Sequence, residues 1–457
     1  MGRKYDYDYI VIGSGVAGET AALTAAGAGR KVAIVEVNKW GGLAHNYRNI
    51  PYATALNVSH LYAQAVFGSR FGLSAGNLRF NYPAMRNWFT TVTRRATVGG
   101  KKVYTDAEID CISGYAHFTS PHEISIKSGD SLTAERFLIA TGTHPAENSI
   151  AGTQRVEHFT ADNAFSVPQI PKAVLIIGGG PTGCEIAQYY AELGIKVLVT
   201  ELSARLMPKE DEEVGQTLER YFKERLKINV LTQTRVVALE EDKLSKKVIF
   251  MHGGQEKAVR VDTIILATGS APNTDLGLEN AGVEFDYGGI KTNKMLMTSA
   301  KNIAAAGSVV SSERSSTAEI AAYEGAIAAS NAVGHSKTTV DYTGFTRIVN
   351  TYPQIAVIGR TEDDCIRHDQ SYRKALVPLG DTVAATVQDF QYGFIKMLVD
   401  RQGHILGATI MSPEASSVIQ EISFAIRNNT TVTDLATTPH LSMSWAELVK
   451  LVAKELV

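Results

Sequence analysis

The sequence predicts an α/β protein, because one unit of strand, glycine loop, helix and strand occurs twice and the composition changes once, beyond Asp341. With 457 residues the chain is too long for a single hydrophobic core, which predicts two to four domains. Its hydrophobic content of 44% and charged content of 20% are ordinary for a globular protein.

The first unit reads YIVIGSGVAGETAALTAAGAGRKVAIVE. A short apolar strand precedes Gly13, Gly15 and Gly18, an alanine-rich helix without proline follows, and a second apolar strand ends at Glu36. The three glycines permit a tight turn, close approach of the backbone to a pyrophosphate, and close packing of helix on strand. The helix N-terminus favours phosphate, and Glu36 is placed to bind a ribose. The unit therefore predicts a Rossmann-like dinucleotide site.

The second unit begins with the apolar run AVLII and repeats the spacing at Gly178, Gly180 and Gly183. Its second strand, VLVTE, ends at Glu201. Two such units predict two bound dinucleotides and suggest electron transfer between them. A carboxylate at Glu201 would accept hydrogen bonds from a ribose 2′-hydroxyl and repel a 2′-phosphate, which favours NADH.

Two basic residues keep both NADH and NADPH possible as the second nucleotide. Arg205 and Lys209 follow Glu201 and could attract a phosphate, so NADPH is possible. Their alternative interpretation is a solvated start of a helix.

The rest of the chain is interpreted from periodicity and turn signals. In order, we predict helices at 50–67 and 83–95, short strands within 101–134 (KKVYT, YAHFT, HEISIK), a strand at 137–142, a linker at 152–168, strands within 227–268 and at 301–310, and a helix at 316–333. A C-terminal α+β domain follows, with strands at 355–358, 394–399 and 405–410 and helices at 415–427 and 445–456.

Bulk properties argue against several classes of protein. The net charge of −2 predicts neither nucleic acid nor an anionic membrane as partner. No apolar run approaches the ~20 residues of a membrane span, and the N-terminus lacks a signal-peptide core. Cys111, Cys184 and Cys365 are too widely spaced for a disulfide framework or a metal site. We expect a cytoplasmic protein without a metal.

These motifs resemble the flavin-dependent pyridine nucleotide–disulfide oxidoreductases over essentially the whole chain. The resemblance also rests on two Ala-Thr-Gly turns (140–142 and 267–269), on Pro-Asn-Thr at 272–274 and on Gly-Phe-Ile-Lys at 393–396. It implies an FAD-binding domain in two parts (1–168 and 286–340), an NAD(P)H-binding domain (169–285) and a C-terminal dimerisation domain (341–457) that makes a homodimer. The further cofactor-binding residues implied are Gly42, Thr141, Gly142, Gly269, Gly307 and Ser308.

The chain departs from the family pattern where the redox-active disulfide belongs. In the pattern G-G-T-C-x-N-x-G-C-I-P-S-K, the two cysteines are replaced by Ala44 and Asn49, and the lysine by Ala53. Neither replacement can form a thiolate. Because the family's lysine pairs with an acid at the position of Glu185, Glu185 needs another partner. Tyr52 is a candidate lining residue of the vacated site, or it simply fills the vacated volume.

The family's acid–base dyad and one flavin contact are also changed. Thr438 stands where the dyad histidine belongs and Met443 where its glutamate belongs, while His440 lies two residues away and could substitute. Ser308 replaces the aspartate of the family's Gly-Asp flavin contact, which would weaken FAD binding without abolishing it.

Three functions follow as hypotheses. The first is an FAD-dependent oxidoreductase that passes electrons from NADH directly to a small acceptor such as a quinone, without disulfide chemistry. The alternatives are a pyridine nucleotide transhydrogenase and a non-catalytic flavin-binding sensor. The predicted catalytic set is Ala44, Asn49, Tyr52, Glu185, Thr438 and His440.

Overall fold

The computed structural model describes residues 4–74, 76, 78–97, 100–127, 129–242, 245–312, 317–334 and 337–457. The chain forms two compact units. The first comprises Met1–Thr54, Pro83–Glu147 and Gly269–Asp341, and the second comprises Ala55–Tyr82, Asn148–Thr268 and Tyr342–Val457. The predicted boundaries at 168, 285 and 340 divide the chain more finely and remain a prediction.

The first unit is built on a seven-stranded sheet. Along the sheet the strands are Asp110–Ser113, Val32–Glu36, Tyr7–Ile12, Ser131–Ile139, Glu123–Ile126 and Ala116–Ser120, and Ile303–Ala305 also pairs with Ser131–Ile139. The strands around Tyr7–Ile12 are parallel, with Val11 opposite both Ile34 and Leu138. Parallel strands are buried on both faces, which explains their continuous apolar runs.

Two alanine-rich helices, Val16–Gly27 and Ala318–Val333, pack closely in the first unit. A Cβ on Gly325 would collide with the backbone of Ala17, so the helices approach more closely than side chains allow. The small residues of these helices therefore do more than favour helix formation, because they also set the distance between the two helices. The predicted helix start at Ser316 lies outside the described residues.

The predicted strand KKVYT is wrong, because these residues lie in the helix Gly100–Asp106. Tyr104 is fully buried and its ring packs 5.7 Å from that of Trp40. Lys102 and Asp106 form an i,i+4 ion pair of 2.9 Å on the exposed side. Packing of one aromatic side chain has outweighed the β-propensity of Val103 and Thr105.

The other helices of the first unit are Gly42–Asn46 and Tyr82–Thr97, and a 3-10 turn lies at Leu278–Ala281. The helix Asn49–Phe67 begins in the first unit and continues along the chain into the second, where the 3-10 turn Gly68–Phe71 follows it. Two antiparallel ribbons pair Thr143–Pro145 with Ser270–Pro272 and Phe285–Asp286 with Gly289–Ile290.

The second unit contains a parallel five-stranded sheet and an antiparallel three-stranded sheet. The parallel order is Asn229–Leu231, Lys196–Thr200, Ala173–Ile177, Thr263–Leu266 and Phe159–Thr160, with helices Pro181–Glu192 and Glu212–Tyr221 and a π-turn at Phe222–Leu226. The antiparallel strands are Thr234–Asp242, Ser245–His252 and Gln255–Val261. The predicted linker therefore includes one short edge strand.

The C-terminal part of the second unit is an antiparallel five-stranded sheet with helices. Its strands in order are Thr346–Val349, Gln354–Gly359, Ile405–Ser412, Phe394–Val399 and Arg373–Pro378. Its helices are Glu362–Arg367, Val383–Gln388, Ala415–Arg427, Val432–Thr437 and Glu447–Lys454, with a 3-10 turn at Leu379–Asp381. The predicted α+β character of this region is confirmed. In the part of the chain that the structure describes, no helix has both the length and the apolar character to cross a bilayer.

Candidate nucleotide sites and active-site segment

The first glycine loop leaves space where a dinucleotide pyrophosphate would lie. Gly13 has a φ of 102°, and a Cβ there would collide with the backbone of Ala140. A Cβ on Gly18 would collide with the backbone of Gly13, so this glycine lets helix and strand pack. Gly15 precedes the helix Val16–Gly27, and a Cβ there would meet no protein atom within 4 Å. Open space beside a helix N-terminus fits a bound phosphate.

Glu36 is buried and stabilises the first glycine loop by hydrogen bonds. Its Oε2 accepts hydrogen bonds from the backbone N–H and the hydroxyl of Ser14, at 2.8 and 2.7 Å. Its Oε1 accepts from the backbone N–H of Asn38 at 2.7 Å. Because a carboxylate has about four acceptor positions, one position remains for a ribose hydroxyl. Glu36 therefore shapes the loop as well as facing the predicted ribose.

The turn at Trp40-Gly41-Gly42 packs directly on this loop. The backbone N–H of Gly41 donates to the hydroxyl of Ser14 at 3.1 Å. A Cβ on Gly42 would lie 2.7 Å from the Cα of Gly15. Both glycines have positive φ, 92° and 61°. The structure thus brings Gly42 to the predicted pyrophosphate site.

Thr141 and Gly142 are fixed by Asn273, a residue the sequence analysis used only as part of a motif. The hydroxyl of Thr141 donates to the backbone oxygen of Asn273 at 2.8 Å, and the amide Nδ2 of Asn273 donates to the backbone oxygen of Thr141 at 2.7 Å. The backbone N–H of Asn273 donates to the backbone oxygen of Gly142 at 2.9 Å. Gly142 and Gly269 have φ values of 67° and 108°, as turns into the paired ribbons require.

Ser308 lies beside Gly142 in the first unit. Its Oγ would be 3.6 Å from a Cβ on Gly142. The preceding Gly307, with φ 79°, donates its backbone N–H to Oε2 of Glu324 at 2.7 Å. Glu324 is buried on an alanine-rich helix and was missed from the sequence. A lone carboxylate on the buried face of that helix was the available signal.

The second glycine loop has the same construction in the second unit. Gly178 has a φ of 116° and packs against Ala267, and Gly183 packs against the backbone of Gly178. Gly180 caps the helix Pro181–Glu192, and again a Cβ there would meet nothing within 4 Å. The residues of both loops therefore fit a dinucleotide on the same geometric grounds.

Glu201 takes the place in the second loop that Glu36 has in the first. Its Oε2 accepts from the backbone N–H of Gly179 at 2.6 Å, and its Oε1 accepts from that of Ser203 at 2.7 Å. Arg205 is turned toward other groups: its Nη2 lies 3.2 Å from the backbone oxygen of Glu210 and 3.4 Å from Oδ2 of Asp363. Lys209 is exposed.

The segment that corresponds to the family's disulfide includes one short helix and the beginning of a second, longer helix. Ala44 lies in the helix Gly42–Asn46 and Asn49 begins the helix Asn49–Phe67. Between them, Arg48 donates from Nη2 to the hydroxyl of Ser270 at 3.1 Å. Tyr52 is only 4% exposed, so its side chain occupies interior volume.

The three cysteines lie elsewhere and are unpaired with one another. Cys184 and Cys365 are buried and Cys111 is half-buried. Burial raises the pKa of all three thiols, which disfavours their thiolate forms. Thiols that stay protonated are poor nucleophiles.

Glu185, expected to need a new partner, has one in Asn350 of the same unit. Oε1 of Glu185 accepts from the backbone N–H of Asn350 at 2.7 Å and from its Nδ2 at 3.1 Å. An amide therefore contacts this buried carboxylate, where the family pattern implies a lysine. No local sequence signal connects residues 165 positions apart.

A histidine–glutamate pair exists near the C-terminus, but not at the positions of the family pattern. Nε2 of His440 lies 2.9 Å from Oε1 of Glu421, and Nδ1 lies 3.0 Å from the backbone oxygen of Thr438. Both neighbours are acceptors, so both ring nitrogens donate only in the imidazolium form. The hydroxyl of Thr438 donates to the backbone oxygen of Asp434 at 2.8 Å. Catalytic roles for Thr438 and His440 remain predictions.

Comparison with known proteins agrees with this architecture along almost the whole chain. Residues 7–325 match the family "Pyridine nucleotide-disulphide oxidoreductase", and residues 345–453 match its dimerisation domain. The chain is 30% identical to a dihydrolipoyl dehydrogenase of Bacillus subtilis, covering 96% of this chain and 94% of the relative. It is 31% identical to a mercuric reductase of Staphylococcus aureus, covering 99% and 82%.

Solved structures show the same fold at lower identity. The HOCl-induced flavoprotein disulfide reductase RclA from Escherichia coli, as its Cu(II) complex, superposes with a TM-score of 0.88 at 22% identity over 100% of both chains. LpdA from Mycobacterium tuberculosis superposes with a TM-score of 0.87 at 23% identity, over 98% of this chain and 99% of the other.

These relatives correct the predicted function. A quinone reductase that works without disulfide chemistry is wrong, because the relatives are dihydrolipoyl dehydrogenases, a mercuric reductase and a disulfide reductase. The error came from arguing from what Ala44 and Asn49 cannot do, since two residues without a thiol do not identify an acceptor. The predicted fold class and the cofactors FAD and NAD(P)H are confirmed. The chain belongs to the pyridine nucleotide–disulphide oxidoreductase family.

Proposed function

We propose that the chain is an FAD-dependent oxidoreductase whose FAD lies on the first glycine loop and is reduced by NAD(P)H held on the second. The observation that carries the proposal is the repeated construction of the two loops, each with an open glycine at a helix N-terminus and a buried carboxylate beneath. When bound, FAD accepts hydride from a nicotinamide and releases the electrons to a second substrate. The residues of the chain bind and orient the two nucleotides.

We propose specific binding residues for each nucleotide. On the FAD side they are Gly13, Gly15, Gly18, Glu36, Gly42, Thr141, Gly142, Gly269, Gly307 and Ser308. On the nicotinamide side they are Gly178, Gly180, Gly183, Glu185 and Glu201. The positions of Gly15 and Gly180, each open beside a helix start, support this division. A serine in place of an acid at position 308 supports weaker retention of FAD than in the family pattern.

NADH is the preferred donor under this proposal. Glu201 is 8% exposed and directly follows the strand Lys196–Thr200, so a 2′-phosphate there would meet a buried carboxylate. Arg205 supports the same preference, because its guanidinium already faces the backbone of Glu210 and the carboxylate of Asp363. Lys209 is exposed and stays the residue through which NADPH could be accepted.

The electron acceptor is to be identified by assay. The names of the relatives suggest lipoamide and Hg²⁺, and both belong in the screen with redox dyes. Ala44 and Asn49 carry no sulfur, and we propose that the family's cysteine pair is absent from this chain. Alkylation of its three cysteines should then leave reduction of the flavin by NADH unchanged. We also propose a homodimer, on the strength of the matched dimerisation domain. A cytoplasmic location stays a prediction.

Three glycine-to-valine variants test the assignment of the loops. Gly15→Val should fold but lose FAD, because the added Cβ meets no protein atom within 4 Å and projects into the space proposed for the pyrophosphate. Gly180→Val should keep FAD and lose its reduction by NADH. Gly27→Val is the matched control, because Gly27 lies at the far end of the helix Val16–Gly27 and a Cβ there also meets nothing.

Flavin content and anaerobic bleaching of the flavin by NADH are the measurements. A folded Gly15→Val protein with full flavin content would overturn the proposed FAD site. Normal bleaching of Gly180→Val would overturn the proposed nicotinamide site.

A further inference from the structure

Large apolar side chains are exposed around the turn that follows the helix Asn49–Phe67. Phe67, the last residue of the helix, is 39% exposed. Phe71, in the turn Gly68–Phe71, is 57% exposed, and Leu73, just beyond it, is 63% exposed. Single apolar residues on a protein surface are ordinary, but three within seven residues indicate a surface that another molecule covers.

A second group of exposed apolar side chains lies on the helix Val383–Gln388 of the same unit. Val383 is 51% exposed and Val387 is 68% exposed. This helix falls within residues 345–453, which match the family's dimerisation domain. The turn around Phe71 falls outside that match, so the family comparison gives it no part in assembly.

An arginine joins the two groups within the second unit. Nη1 of Arg70 lies 2.5 Å from Oδ2 of Asp389, and the guanidinium of Arg70 lies 4.5 Å from the ring centre of Phe71. Asp389 directly follows the helix Val383–Gln388. The ion pair therefore places the turn Gly68–Phe71 beside the end of that helix.

A cluster of aromatic rings continues from the same ion pair. Phe390, the residue after Asp389, has its ring centre 5.9 Å from that of Tyr221 and 5.9 Å from that of Tyr392. The guanidinium of Arg220 lies 5.4 Å from the ring centre of Tyr392. Aromatic side chains and arginines are the residues most enriched at the energetic centres of protein interfaces.

Charged groups of both signs border these rings. The guanidinium of Arg225 lies 5.7 Å from the ring centre of Phe67, and Glu224 accepts a hydrogen bond from the hydroxyl of Tyr392 at 2.9 Å. The ion pair described above adds one charge of each sign. A two-fold interface places a surface against its own copy, so a surface of a single sign would repel itself. A surface that carries both signs can match them across the axis.

We propose that this surface is an interface between two copies of the chain, and that the interface extends beyond the matched dimerisation domain to the turn Gly68–Phe71. We call it the apolar surface, and its members are Phe67, Phe71, Leu73, Val383 and Val387. A second copy is the occupant because one part of the surface belongs to the dimerisation domain and the ion pair makes the other part continuous with it. The inference rests on the homodimer proposed above, and it is independent of the nucleotide sites and of the electron acceptor.

Sedimentation equilibrium of the FAD-loaded protein tests the inference. The wild type should be a dimer. Phe71→Asp and Val387→Asp should each raise the dissociation constant of the dimer about a hundredfold, because an isologous interface contains each substitution twice and about tenfold is expected from each copy. Both side chains are exposed in the single chain, so the variants should fold, and flavin content and circular dichroism check that they do.

Ile366→Asp is the matched control. Ile366 is 66% exposed, close to the value for Val387, and also lies within the matched dimerisation domain, but it belongs to the helix Glu362–Arg367 and not to the apolar surface. This variant should dimerise with the affinity of the wild type.

Thiol labelling gives a second measurement, made on an intact dimer. Val387→Cys and Ile366→Cys each place a thiol at a position that is exposed in the single chain. A maleimide should modify the Val387→Cys protein at least about tenfold more slowly, because the second copy covers position 387. The native cysteines are buried or half-buried, and labelling of the wild type measures their background.

Three results would overturn the inference. An unchanged dissociation constant in both aspartate variants, or equal labelling of the two cysteine variants, would leave the homodimer in place but assign it to other parts of the matched domain. A monomeric wild type would overturn the homodimer together with the apolar surface. If the aspartate variants stay dimeric and instead lose binding to phosphatidylglycerol vesicles, a bilayer covers the surface and the inference is wrong.

Discussion

Lys396 offers the sharpest test of how the second unit is held together. Its side chain is 2% exposed, and its Nζ lies 2.6 Å from Glu362, 3.0 Å from Glu213 and 3.6 Å from Asp211. Replacing it in Lys396→Met removes one positive charge from among three carboxylates and leaves them to repel one another, and the Asp211 side chain among them is only 3% exposed. Breaking a buried pair in this way costs about 3–5 kcal/mol of the free energy of unfolding.

Lys374 provides a control that shares the same acid. Its Nζ also lies 2.6 Å from Glu362, but the Lys374 side chain is 51% exposed. An exposed ion pair is worth about 0–1 kcal/mol. Lys374→Met should therefore lower the free energy of unfolding by no more than about 1 kcal/mol, although the distance to the carboxylate is the same. The comparison therefore sets a buried lysine that contacts three carboxylates against an exposed lysine that contacts one of them.

Urea unfolding followed by circular dichroism, with FAD release recorded in parallel, measures both variants. Coincident transitions are needed for a single free energy in a protein with two units. If Lys396→Met and Lys374→Met destabilise equally, or if Lys396→Met changes the free energy of unfolding by less than about 0.5 kcal/mol, the argument from burial is refuted.

Acid should remove the same stabilisation. Burial alone would raise the pKa of Glu362, but hydrogen bonds from Lys374, Lys396 and Tyr372 lower it from 4.5 to about 2. Between these values the unfolded chain binds more protons, so this contribution is present above pH 4.5 and is lost as the pH falls toward 2. In Lys396→Met the acid-dependent loss should be smaller, since part of the interaction is already gone.

Three further changes have defined outcomes. Glu201→Ala should narrow the preference for NADH over NADPH by about 1–3 kcal/mol in kcat/KM, because a buried carboxylate no longer faces the 2′ position; a wild type that prefers NADPH contradicts the assignment. Tyr9→Phe should leave the Tm unchanged or raise it, because the buried hydroxyl of Tyr9 has no hydrogen-bond partner among the described residues; a clear fall in Tm would show a hidden partner. Asn350→Ala should cost about 1.5–3 kcal/mol in urea unfolding by removing a donor from the buried Glu185, and unchanged stability would show that this bond contributes nothing.

The nucleotide loops were predictable because their physics is local. A glycine is required where φ is positive or where a Cβ would collide with the backbone. Gly13 meets the first requirement and Gly18 the second, and the two lie within six residues of sequence. The position of the acid at the end of the next strand is also fixed by the length of one helix. What the sequence did not reveal is that Glu36 accepts hydrogen bonds from Ser14, in addition to the predicted contact with a ribose.

The helix Gly100–Asp106 shows where local reasoning fails. KKVYT has a β-branched residue on each side of a tyrosine, and these three residues favour a strand although the two lysines before them favour a helix. These residues form a helix because Tyr104 is completely buried beside Trp40, which lies more than sixty positions earlier in the chain. A contact at such separation has no signature within these five residues.

The partners of buried charges are the hardest features to predict, and in this chain they matter most. The sequence predicted that Glu185 needs a partner other than the family's lysine, and in the structure Asn350 donates to Glu185. Lys396 appeared only as the last letter of a motif, yet three carboxylates from two separate stretches of chain converge on it. A buried charge strongly requires compensation but does not specify which residue supplies it. Sequence can therefore predict that a buried charge has a partner, while the tertiary fold determines which residue that partner is. The function inferred from Ala44 and Asn49 was wrong for the same reason, because two residues without a thiol were used to infer the electron acceptor.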